Sequence, residues 1–369
     1  MAVWSELLKE SVASVEELEK EFHLPPEQKE RLMLVCARHP MRVTRYYLDL
    51  IDWSDEGDPV RKLCIPDEQE LNEAGEYDTS GESYNTKIPG LQHKYGPTAL
   101  VLSTNICYAY CRHCFRKRMV GYSEDEINRR MEDAVEYIRE HEEIKNVLIS
   151  GGDPFTLSNE VIEDYLRRLG AIEHLKFIRF GSRVPVVFPQ RIYLDQEFLT
   201  ILKNYGQTRE IVVVTQFNHP RELTEEAKRA ISALKQSGST LRNQGVLLQG
   251  VNDDPDTLVE LLDGLVACGV HPYYIFQCRP VKHCKHFQVP LARGIEILTR
   301  ARKRLNGIAK GFRYAMAHVE GKIEVVGKTD TQFVFRRHQS KNVDESDALF
   351  LRPIDDEANW LDADLQPMK

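Results

Sequence analysis

Short apolar runs alternate with amphipathic stretches through the middle of the chain. Runs that are apolar nearly throughout are typical of parallel strands buried on both faces, and they lie at 99–104, 146–150, 177–181, 211–217, 245–249 and 273–277. The helical spacing of apolar positions predicts helices at 123–141, 159–169, 195–205, 222–237, 255–268 and 289–305. Strands and helices in alternation predict a parallel sheet with its helices outside.

The number of these units indicates the architecture. Six strand–helix units are fewer than the eight of a closed barrel. We therefore predict an α/β fold that is a partial (β/α)6 barrel. A doubly wound sheet has the same alternation of elements, so the pattern leaves it open as the alternative.

The region before the first strand lacks this alternation. It is predicted to be helical at 14–22, 26–37 and 40–52. The following stretch, 54–94, is rich in Gly, Pro, Asp and Glu, a composition that predicts an irregular connection. We expect residues 1–94 to form an N-terminal helical region with its connecting segment.

The region after the last predicted helix differs again. Alternating runs at 322–326 and 331–336 predict a hairpin, and the end at 355–369 is expected to be frayed. We therefore expect the barrel to occupy 95–320 and a C-terminal extension to occupy 321–369.

Composition and charge narrow the functional classes. The net charge of −8 over 369 residues is modest, and it gives no reason to expect nucleic acid or an anionic membrane surface as a partner. The stretch 1–30 contains no apolar core of a signal peptide, and no apolar run is long enough to span a bilayer. The expected location is the cytoplasm, where the eight cysteines stay reduced and serve as metal ligands or as small buried side chains.

Three closely spaced cysteines follow the first predicted strand. Cys107, Cys111 and Cys114 have the spacing C-x3-C-x2-C, which lets one loop wrap its thiolates around a single metal group at the active-site face of a barrel. Thiolates suit an iron–sulfur cluster or zinc. Three ligands leave one metal position open, as a catalytic site requires, and a zinc site completed by His113 is the alternative. Four neighbouring cations are expected to favour the thiolates: Arg112, Arg116, Lys117 and Arg118.

A second group of metal-ligand types occurs late in the barrel region. It consists of Cys278, His283, Cys284 and His286. These residues match no established metal-ligand spacing, so we interpret them as incidental neighbours in a loop. The only predicted metal ligands are therefore the three cysteines that follow the first strand.

Several motifs carry a resemblance beyond the cysteine spacing. They are 111–118 (CRHCFRKR), 150–154 (SGGDP), 181–192 (GSRVPVVFPQRI), 217–220 (FNHP), 243–252 (NQGVLLQGVN) and 272–278 (PYYIFQC). In spacing and order the chain resembles the lysine 2,3-aminomutase family of radical-SAM enzymes. The resemblance implies an isomerase in which a reduced [4Fe–4S] cluster cleaves S-adenosylmethionine (SAM). The resulting 5′-deoxyadenosyl radical starts a 1,2-amino shift on an amino acid. It also implies an electron donor such as flavodoxin or ferredoxin, with homo-oligomerisation left open.

The motifs also imply roles for particular residues. By themselves, Ser150, Gly151, Gly152 and Asp153 predict a tight turn after a strand, and the resemblance implies that this turn binds the methionyl amino group of SAM. Arg116 matches the family position that holds the substrate carboxylate. The arginines of the third strand end, Arg183 and Arg191, have two open interpretations. They either bind a carboxylate or phosphate, or Arg183 pairs with an acid of the rim such as Asp153.

The resemblance further implies pyridoxal 5′-phosphate (PLP), bound as a Schiff base to a lysine. Lys322, preceded by Gly321, is the best match, and Lys328 is a second candidate. Other glycines of the family pattern are missing here, so an exposed hairpin lysine remains an alternative. If no lysine holds PLP, the alternative is a PLP-independent radical-SAM enzyme of the same fold that performs another hydrogen-abstraction reaction. A second alternative, in which the cysteines hold zinc instead of a cluster, is a non-catalytic zinc-binding barrel protein.

The pocket for the far end of the substrate departs from the family pattern. Lysine-specific members carry an aspartate directly after Gln-Cys, where this chain has Arg279, and their second aspartate has no acidic counterpart here. Basic residues before the first strand are only partly kept, as Lys94 with Thr98. We therefore expect a substrate other than lysine, such as glutamate, whose carboxylate could pair with Arg279.

Overall fold

The computed structural model describes residues 3–22, 24–121, 125–128 and 130–369. The helices are α1 (Val3–Leu8), α2 (Val15–Phe22), α3 (Pro26–Arg38), α4 (Arg45–Leu48), α5 (Pro59–Cys64), α6 (Glu82–Asn85), α7 (Met131–Glu140), α8 (Asn159–Gly170), α9 (Val184–Val187), α10 (Gln190–Tyr193), α11 (Gln196–Gly206), α12 (Glu225–Gln236), α13 (Pro255–Cys268) and α14 (Leu291–Arg302). Short 3₁₀ turns lie at Glu68–Leu71, Pro154–Thr156, Pro220–Glu222, Lys285–Phe287, Ala309–Gly311 and Val343–Glu345.

The strands form one large sheet and one small hairpin. They are β1 (Thr86–Ile88), β2 (Leu91–Tyr95), β3 (Thr98–Thr104), β4 (Asn146–Gly151), β5 (Phe177–Gly181), β6 (Glu210–Thr215), β7 (Thr240–Leu247), β8 (His271–Gln277), β9 (Arg313–His318), β10 (Gly321–Lys328), β11 (Gln332–Ser340), β12 (Leu349–Pro353), β13 (Trp360–Leu361) and β14 (Pro367–Met368). β1 to β12 lie side by side in sequence order, and β13 pairs with β14.

The centre of the large sheet is parallel, from β3 through β9. Each strand neighbours the next one in sequence, so every right-handed crossover places its helix on the same face. A doubly wound sheet needs a point where the strand order reverses, and the described strands have none. The sheet is therefore an open partial barrel, as predicted, and the doubly wound alternative is wrong.

The sheet is larger than predicted at both edges. The six predicted strands correspond to β3–β8, and β9 adds a seventh parallel strand after the last predicted helix. The apolar run of β9 is short, 314–317, because Arg313 and His318 stand at the ends of the strand. The hairpin β1–β2 extends one edge, and the predicted hairpin is confirmed as β10–β11 at the other, where β12 also joins.

Four of the helices that cover the barrel have a side-chain cap at their N-terminus. The capping residues are Ser158, Asp195, Thr224 and Asp254, before α8, α11, α12 and α13. Each side chain accepts a hydrogen bond from a backbone N–H of the first helical turn, which satisfies a group that has no partner inside the helix. These caps fix where the strand-end loops stop and the covering helices begin.

The regions outside the barrel contain more structure than expected. The stretch 54–94 is not an irregular connection, because it contains α5, α6, β1 and β2. The end is not frayed, since Trp360, Leu361 and Leu365 are buried. The predicted helix at 40–52 is only the four-residue α4, and α7 begins at Met131, after residues that include the undescribed Ser123.

The division into 1–94, 95–320 and 321–369 stays a prediction, although the large sheet runs through all three ranges. Among the described residues, no helix is both long enough and apolar enough to cross a membrane.

Candidate active site

The loop after β3 carries the three cysteines, and the turn after β4 holds its backbone. Gly152 N donates to Thr104 O at 2.6 Å, and Asp153 N donates to Ile106 O at 2.8 Å. A Cβ atom on Gly152 would lie 2.3 Å from Ile106 O, so only glycine allows this approach. The paired glycines therefore fit the turn against the cysteine loop.

The three thiols lie close enough to affect one another. Burial first, and then nearby groups that include Asp153 and the other two thiols, raise the pKa of Cys107 well above its usual range. Burial and the neighbouring Cys111 raise the pKa of Cys114 to about 12. Because Cys107 and Cys114 resist ionisation, these two thiols need a cationic partner to become thiolates. This donor set fits an iron–sulfur cluster.

Two of the cations beside the cysteines pair with a buried carboxylate. Arg112 Nη2 and Lys117 Nζ each lie 2.6 Å from Glu70 Oε2. Burial would raise the pKa of Glu70, but these two charges outweigh it and lower the pKa to about 2. Arg112 and Lys117 therefore anchor the cysteine loop to the 3₁₀ turn Glu68–Leu71, and their effect on the thiolates stays a prediction.

The other two cations share a second buried carboxylate. Arg116 Nη2 lies 2.8 Å from Glu82 Oε1, and Arg118 Nη2 lies 2.6 Å from Glu82 Oε2. The remaining terminal nitrogen of Arg116, Nη1, donates to Ser150 Oγ at 3.2 Å. Arg116 thus connects Glu82 to Ser150, the first residue of the turn that is expected to bind SAM.

Asp153 is buried, and its carboxylate binds backbone amides. Oδ1 accepts from Phe155 N at 3.0 Å and Oδ2 accepts from Arg183 N at 2.7 Å. Burial raises the pKa of Asp153 to about 6. Arg183 does pair with a rim acid, as one interpretation predicted, but its guanidinium partner is Glu222 at 2.7 Å rather than Asp153. Asp153 therefore fixes the loops after β4 and β5 to each other.

Arg191 is a structural residue rather than a binding residue of the rim. Its Nη1 lies 2.8 Å from Asp195 Oδ2 and its Nη2 donates to Asn159 Oδ1 at 2.8 Å. The guanidinium also lies 4.6 Å from the centre of the Trp4 ring. These contacts fasten α10 to α1 and α8, and they correct the expectation that Arg191 binds a carboxylate or phosphate.

His113, which would complete a zinc site with the three cysteines, lies beside two amide side chains. His113 Nε2 lies 3.3 Å from Gln216 Nε2 and 3.4 Å from Asn218 Nδ2, at the end of β6. No group of three or more His, Cys, Asp or Glu side chains among the described residues converges as one metal ion requires. In the second group, Cys284 Sγ donates to Arg112 O at 3.4 Å and His283 Nδ1 lies 2.6 Å from Glu70 O. That group is a packed loop, as interpreted.

Lys322 lies on β10 among aromatic side chains. Its Nζ is 4.8 Å from the centre of the Tyr274 ring and 5.8 Å from that of Tyr95. No carboxylate of the described residues lies within salt-bridge distance of it, whereas the exposed Lys328 pairs with Glu296 at 2.7 Å. Burial, followed by nearby cations, lowers the pKa of Lys322 to about 7. Lys322 is therefore not the exposed hairpin lysine of the alternative.

Other cations share this part of the barrel. The nearby cations that lower the pKa of Lys322 are Arg179, Lys94 and Arg279. Lys94 Nζ donates to His318 O at 2.6 Å and to Ser80 O at 3.1 Å, and burial with nearby cations lowers its pKa to about 7. Glu82 acts on both Lys94 and Arg279 from farther away, but none of these four side chains pairs with a described carboxylate at salt-bridge distance. The excess of positive charge favours anionic groups.

Arg279 follows β8 and faces the same region. Its Nη1 donates to Ser80 Oγ at 2.9 Å, and its guanidinium lies 4.0 Å from the centre of the Phe115 ring. Burial lowers the pKa of Arg279 to about 10. No described carboxylate lies within salt-bridge distance of Arg279, and Glu82 pairs with Arg116 and Arg118 instead.

Sequence reasoning missed several residues of the site. Glu70 and Glu82 lie in the stretch that was expected to be irregular, where carboxylates give no periodic signal. Arg179 stands within β5, and its Nε is buried without a hydrogen-bond partner. The polar residue at position 179 interrupts an otherwise apolar strand, and this interruption is the one local signal that could have identified it.

The thiol loop after the first parallel strand of an open barrel defines a radical-SAM enzyme. In agreement, residues 101–262 match the model of the radical SAM superfamily. An L-lysine 2,3-aminomutase from Clostridium subterminale is 41% identical over 307 residues, covering 82% of this chain and 73% of the relative. A relative from Aquifex aeolicus strain VF5, provisionally named an L-lysine 2,3-aminomutase, is 40% identical over 92% of this chain and 91% of its own length.

A third relative differs in the substrate of its name. The glutamate 2,3-aminomutase of Clostridioides difficile strain 630 is 37% identical over 304 residues, covering 82% of this chain and 71% of the relative. The chain belongs to the lysine 2,3-aminomutase family. It is a radical-SAM aminomutase, which is an isomerase whose small-molecule substrate is an amino acid. Its family uses a [4Fe–4S] cluster and SAM.

Proposed function

We propose that this aminomutase moves the amino group between the 2 and 3 positions of an acidic amino acid, with glutamate as the first choice. PLP on Lys322 would assist the shift. The observation that carries the proposal is the group of cations around Lys322, none of which forms a salt bridge with a described carboxylate. Such a site favours a phosphate and a carboxylate over a second ammonium group.

The cysteine loop is assigned to the cluster. Cys107, Cys111 and Cys114 would each supply one thiolate, and the open iron position would face SAM. The turn Ser150–Asp153 would hold SAM through its backbone, because the Asp153 carboxylate already binds the amides of Phe155 and Arg183. When bound, the cluster supplies the electron that cleaves SAM, and PLP supplies a π-system for the migrating amino group.

Lys322 has the properties of a cofactor-binding lysine. With its pKa near 7, a large fraction of the amine is neutral and nucleophilic at neutral pH. Tyr274 and Tyr95 surround the amine with ring faces rather than with acceptors that would hold a proton on it. Lys94 and Arg179 lie near enough to bind an anionic phosphate beside it. These features support Lys322 rather than Lys328 as the lysine that would hold PLP.

Arg279 and Arg116 are assigned to the two ends of the substrate. Arg116 Nη1 points towards Ser150 and would hold the α-carboxylate, as the family position implies. Arg279 has no described carboxylate partner and would pair with a distal carboxylate. A lysine ammonium at this point would meet a guanidinium in a poorly hydrated pocket. The glutamate 2,3-aminomutase among the relatives is consistent with this assignment.

An anaerobic turnover assay tests the proposal. The reconstituted protein is incubated with SAM, a chemical reductant, PLP and single amino acids, and the products are identified by mass spectrometry. We expect β-glutamate from L-glutamate and little β-lysine from L-lysine. Efficient conversion of L-lysine would contradict the substrate assignment, and full activity without PLP would favour the PLP-independent alternative. The electron donor, such as flavodoxin or ferredoxin, and homo-oligomerisation stay predictions.

A further inference from the structure

Arg183 makes contacts that none of the roles above requires. It lies directly after β5, is buried, and its Nη1 donates to Cys111 Sγ at 2.7 Å. Its Nη2 lies 2.7 Å from Glu222 Oε1, and its Nε donates to Gln216 O at 3.2 Å. One side chain thus joins a cysteine of the cluster loop to the elements at the end of β6.

The guanidinium is held in place by further buried groups. Tyr47 OH donates to Glu222 Oε1 at 2.5 Å, and Arg183 Nη2 lies 3.0 Å from the same Tyr47 oxygen. The second Glu222 oxygen accepts from the backbone N–H groups of Asn218 and His219 at 2.6 Å and 3.0 Å. Each oxygen of Glu222 therefore has partners, and these contacts fix the orientation of Arg183 towards Cys111.

We propose that Arg183, oriented by Glu222 and Tyr47, is a positioning residue that raises the reduction potential of the cluster through its hydrogen bond to Cys111 Sγ. The inference rests on the proposed role of Cys111 as a cluster ligand. Hydrogen bonds to the sulfur ligands are one of the main ways in which proteins set the potential of iron–sulfur clusters. An arginine stays protonated at any physiological pH, so its positive charge always favours the reduced cluster, which carries one more electron.

The arrangement also links the cluster to the proposed SAM site. The backbone N–H of Arg183 donates to Asp153 Oδ2 at 2.7 Å, while its side chain reaches Cys111. The same residue therefore sets both the position of the turn after β4 and the surroundings of one cluster sulfur. A change of the side chain alone leaves the backbone bond to Asp153 available.

The experiment is a redox titration of the anaerobically reconstituted full-length protein, followed by electron paramagnetic resonance of the reduced cluster. Arg183→Met removes the charge and the donor. Arg183→Met with Glu222→Gln also removes the carboxylate that the first variant leaves unpaired. Arg183→Lys keeps the charge but not the planar geometry. We expect the midpoint potential to fall in both Met variants and to fall less in Arg183→Lys.

Arg191→Met with Asp195→Asn is the matched control, because it removes a buried arginine–carboxylate pair that does not contact a cysteine. Its midpoint potential should equal that of the wild type. Iron and sulfide content shows which variants hold a complete cluster. An unchanged potential in the Met variants that hold a cluster would overturn the proposal. So would loss of the cluster in all Arg183 variants, since Arg183 would then act in assembly.

Cys111→Ala separates this inference from the proposed cluster site. If that variant keeps wild-type iron, sulfide and absorbance, the ligand assignment fails and the role of Arg183 fails with it. If Cys111→Ala loses the cluster but the Arg183 variants keep the wild-type potential, only the role of Arg183 is contradicted.

Discussion

The Nζ atom of Lys322 lies 4.8 Å from the centre of the Tyr274 ring, and Tyr274 in turn hydrogen-bonds through its hydroxyl to His338 Nε2 at 2.7 Å. The amine therefore lies over the face of the Tyr274 ring, and the hydrogen bond to His338 on β11 holds that ring in position. Burial, with nearby cations, lowers the pKa of Lys322 to about 7, against about 10.4 for an ordinary lysine. Position and charge state together distinguish Lys322 from the other lysine candidate.

Replacing Lys322 with Ala should abolish the binding of PLP as a lysine adduct. The wild type should show the absorbance of the lysine adduct near the visible edge, and Lys322→Ala should not. Lys328→Ala is the control, since Lys328 pairs with Glu296 on the surface and should keep the signal. Loss of the signal in Lys328→Ala but not in Lys322→Ala would reverse the assignment.

The formation of this adduct should depend on pH in a defined direction. A neutral amine is needed for attack, so the rate should rise with pH through about 7 and level off above it, rather than near 10. The charged and titratable groups that face Lys322 are Arg179, Lys94, Arg279, Tyr95, Tyr274 and His338. Stopped-flow absorbance at a series of pH values measures this, and a midpoint near 10 would contradict the low pKa.

Only the three clustered cysteines should be needed for the iron–sulfur cluster. Single replacement of Cys107, Cys111 or Cys114 by Ala should remove the broad cluster absorbance and the cleavage of SAM. Cys278→Ala and Cys284→Ala should keep both, since the hydrogen bonds of these two thiols go to backbone carbonyls and, for Cys284, also to Lys117. If either control loses the cluster as completely, the ligand set is incomplete.

Asp153→Asn should weaken SAM binding and leave the cluster intact. An amide side chain offers one acceptor oxygen and one donor nitrogen, whereas the carboxylate accepts backbone N–H groups at both oxygens. One of these bonds is lost, at a cost of about 1–3 kcal/mol, and the SAM-binding turn shifts. Calorimetric titration with SAM measures the affinity. Equal affinity in the wild type and the variant would remove Asp153 from the site.

Arg279→Asp should change the substrate preference. A guanidinium pairs with a distal carboxylate and repels a distal ammonium, and the variant reverses both interactions. We expect a fall in kcat/KM for L-glutamate of roughly 100-fold, corresponding to a lost charge-assisted pair of about 3 kcal/mol. Turnover of L-lysine should rise. The same ratio of the two kcat/KM values in the wild type and in Arg279→Asp would show that Arg279 does not face the substrate.

Glu70→Gln should destabilise the protein by about 3–5 kcal/mol, because it leaves Arg112 and Lys117 buried beside a neutral group. Glu68→Gln, which removes one partner of an exposed pair with Arg31, should cost about 0–1 kcal/mol. The pKa of Glu70 is lowered to about 2, so its stabilising effect is complete above the ordinary value and is lost as the pH falls towards 2. Urea unfolding at pH 7 and pH 3 measures both effects, and equal costs in the two variants would contradict the buried network.

The strands β3–β8 could be predicted from the sequence because both faces of a parallel strand are buried, which makes each one an apolar run. β9 was missed because its apolar run, 314–317, is short and is bounded by Arg313 and His318 at the ends of the strand. The cysteine spacing predicted the metal-binding loop because the three expected ligands are close together along the chain. The candidates Lys322 and Arg279 followed from resemblance to a family rather than from any local pattern.

Tertiary structure alone decided which charges meet. Glu70 lies 42 residues before Arg112 in sequence, yet its carboxylate, and not a thiolate, receives that guanidinium. Lys94 on β2, Arg179 on β5 and Lys322 on β10 belong to distant parts of the chain, and the curved sheet brings them close enough for Lys94 and Arg179 to lower the pKa of Lys322. Electrostatic interactions depend on distance and burial rather than on separation along the chain. The sequence by itself therefore determined the order of the strands and the cysteine loop, while the partners of its buried charges depended on the folded sheet.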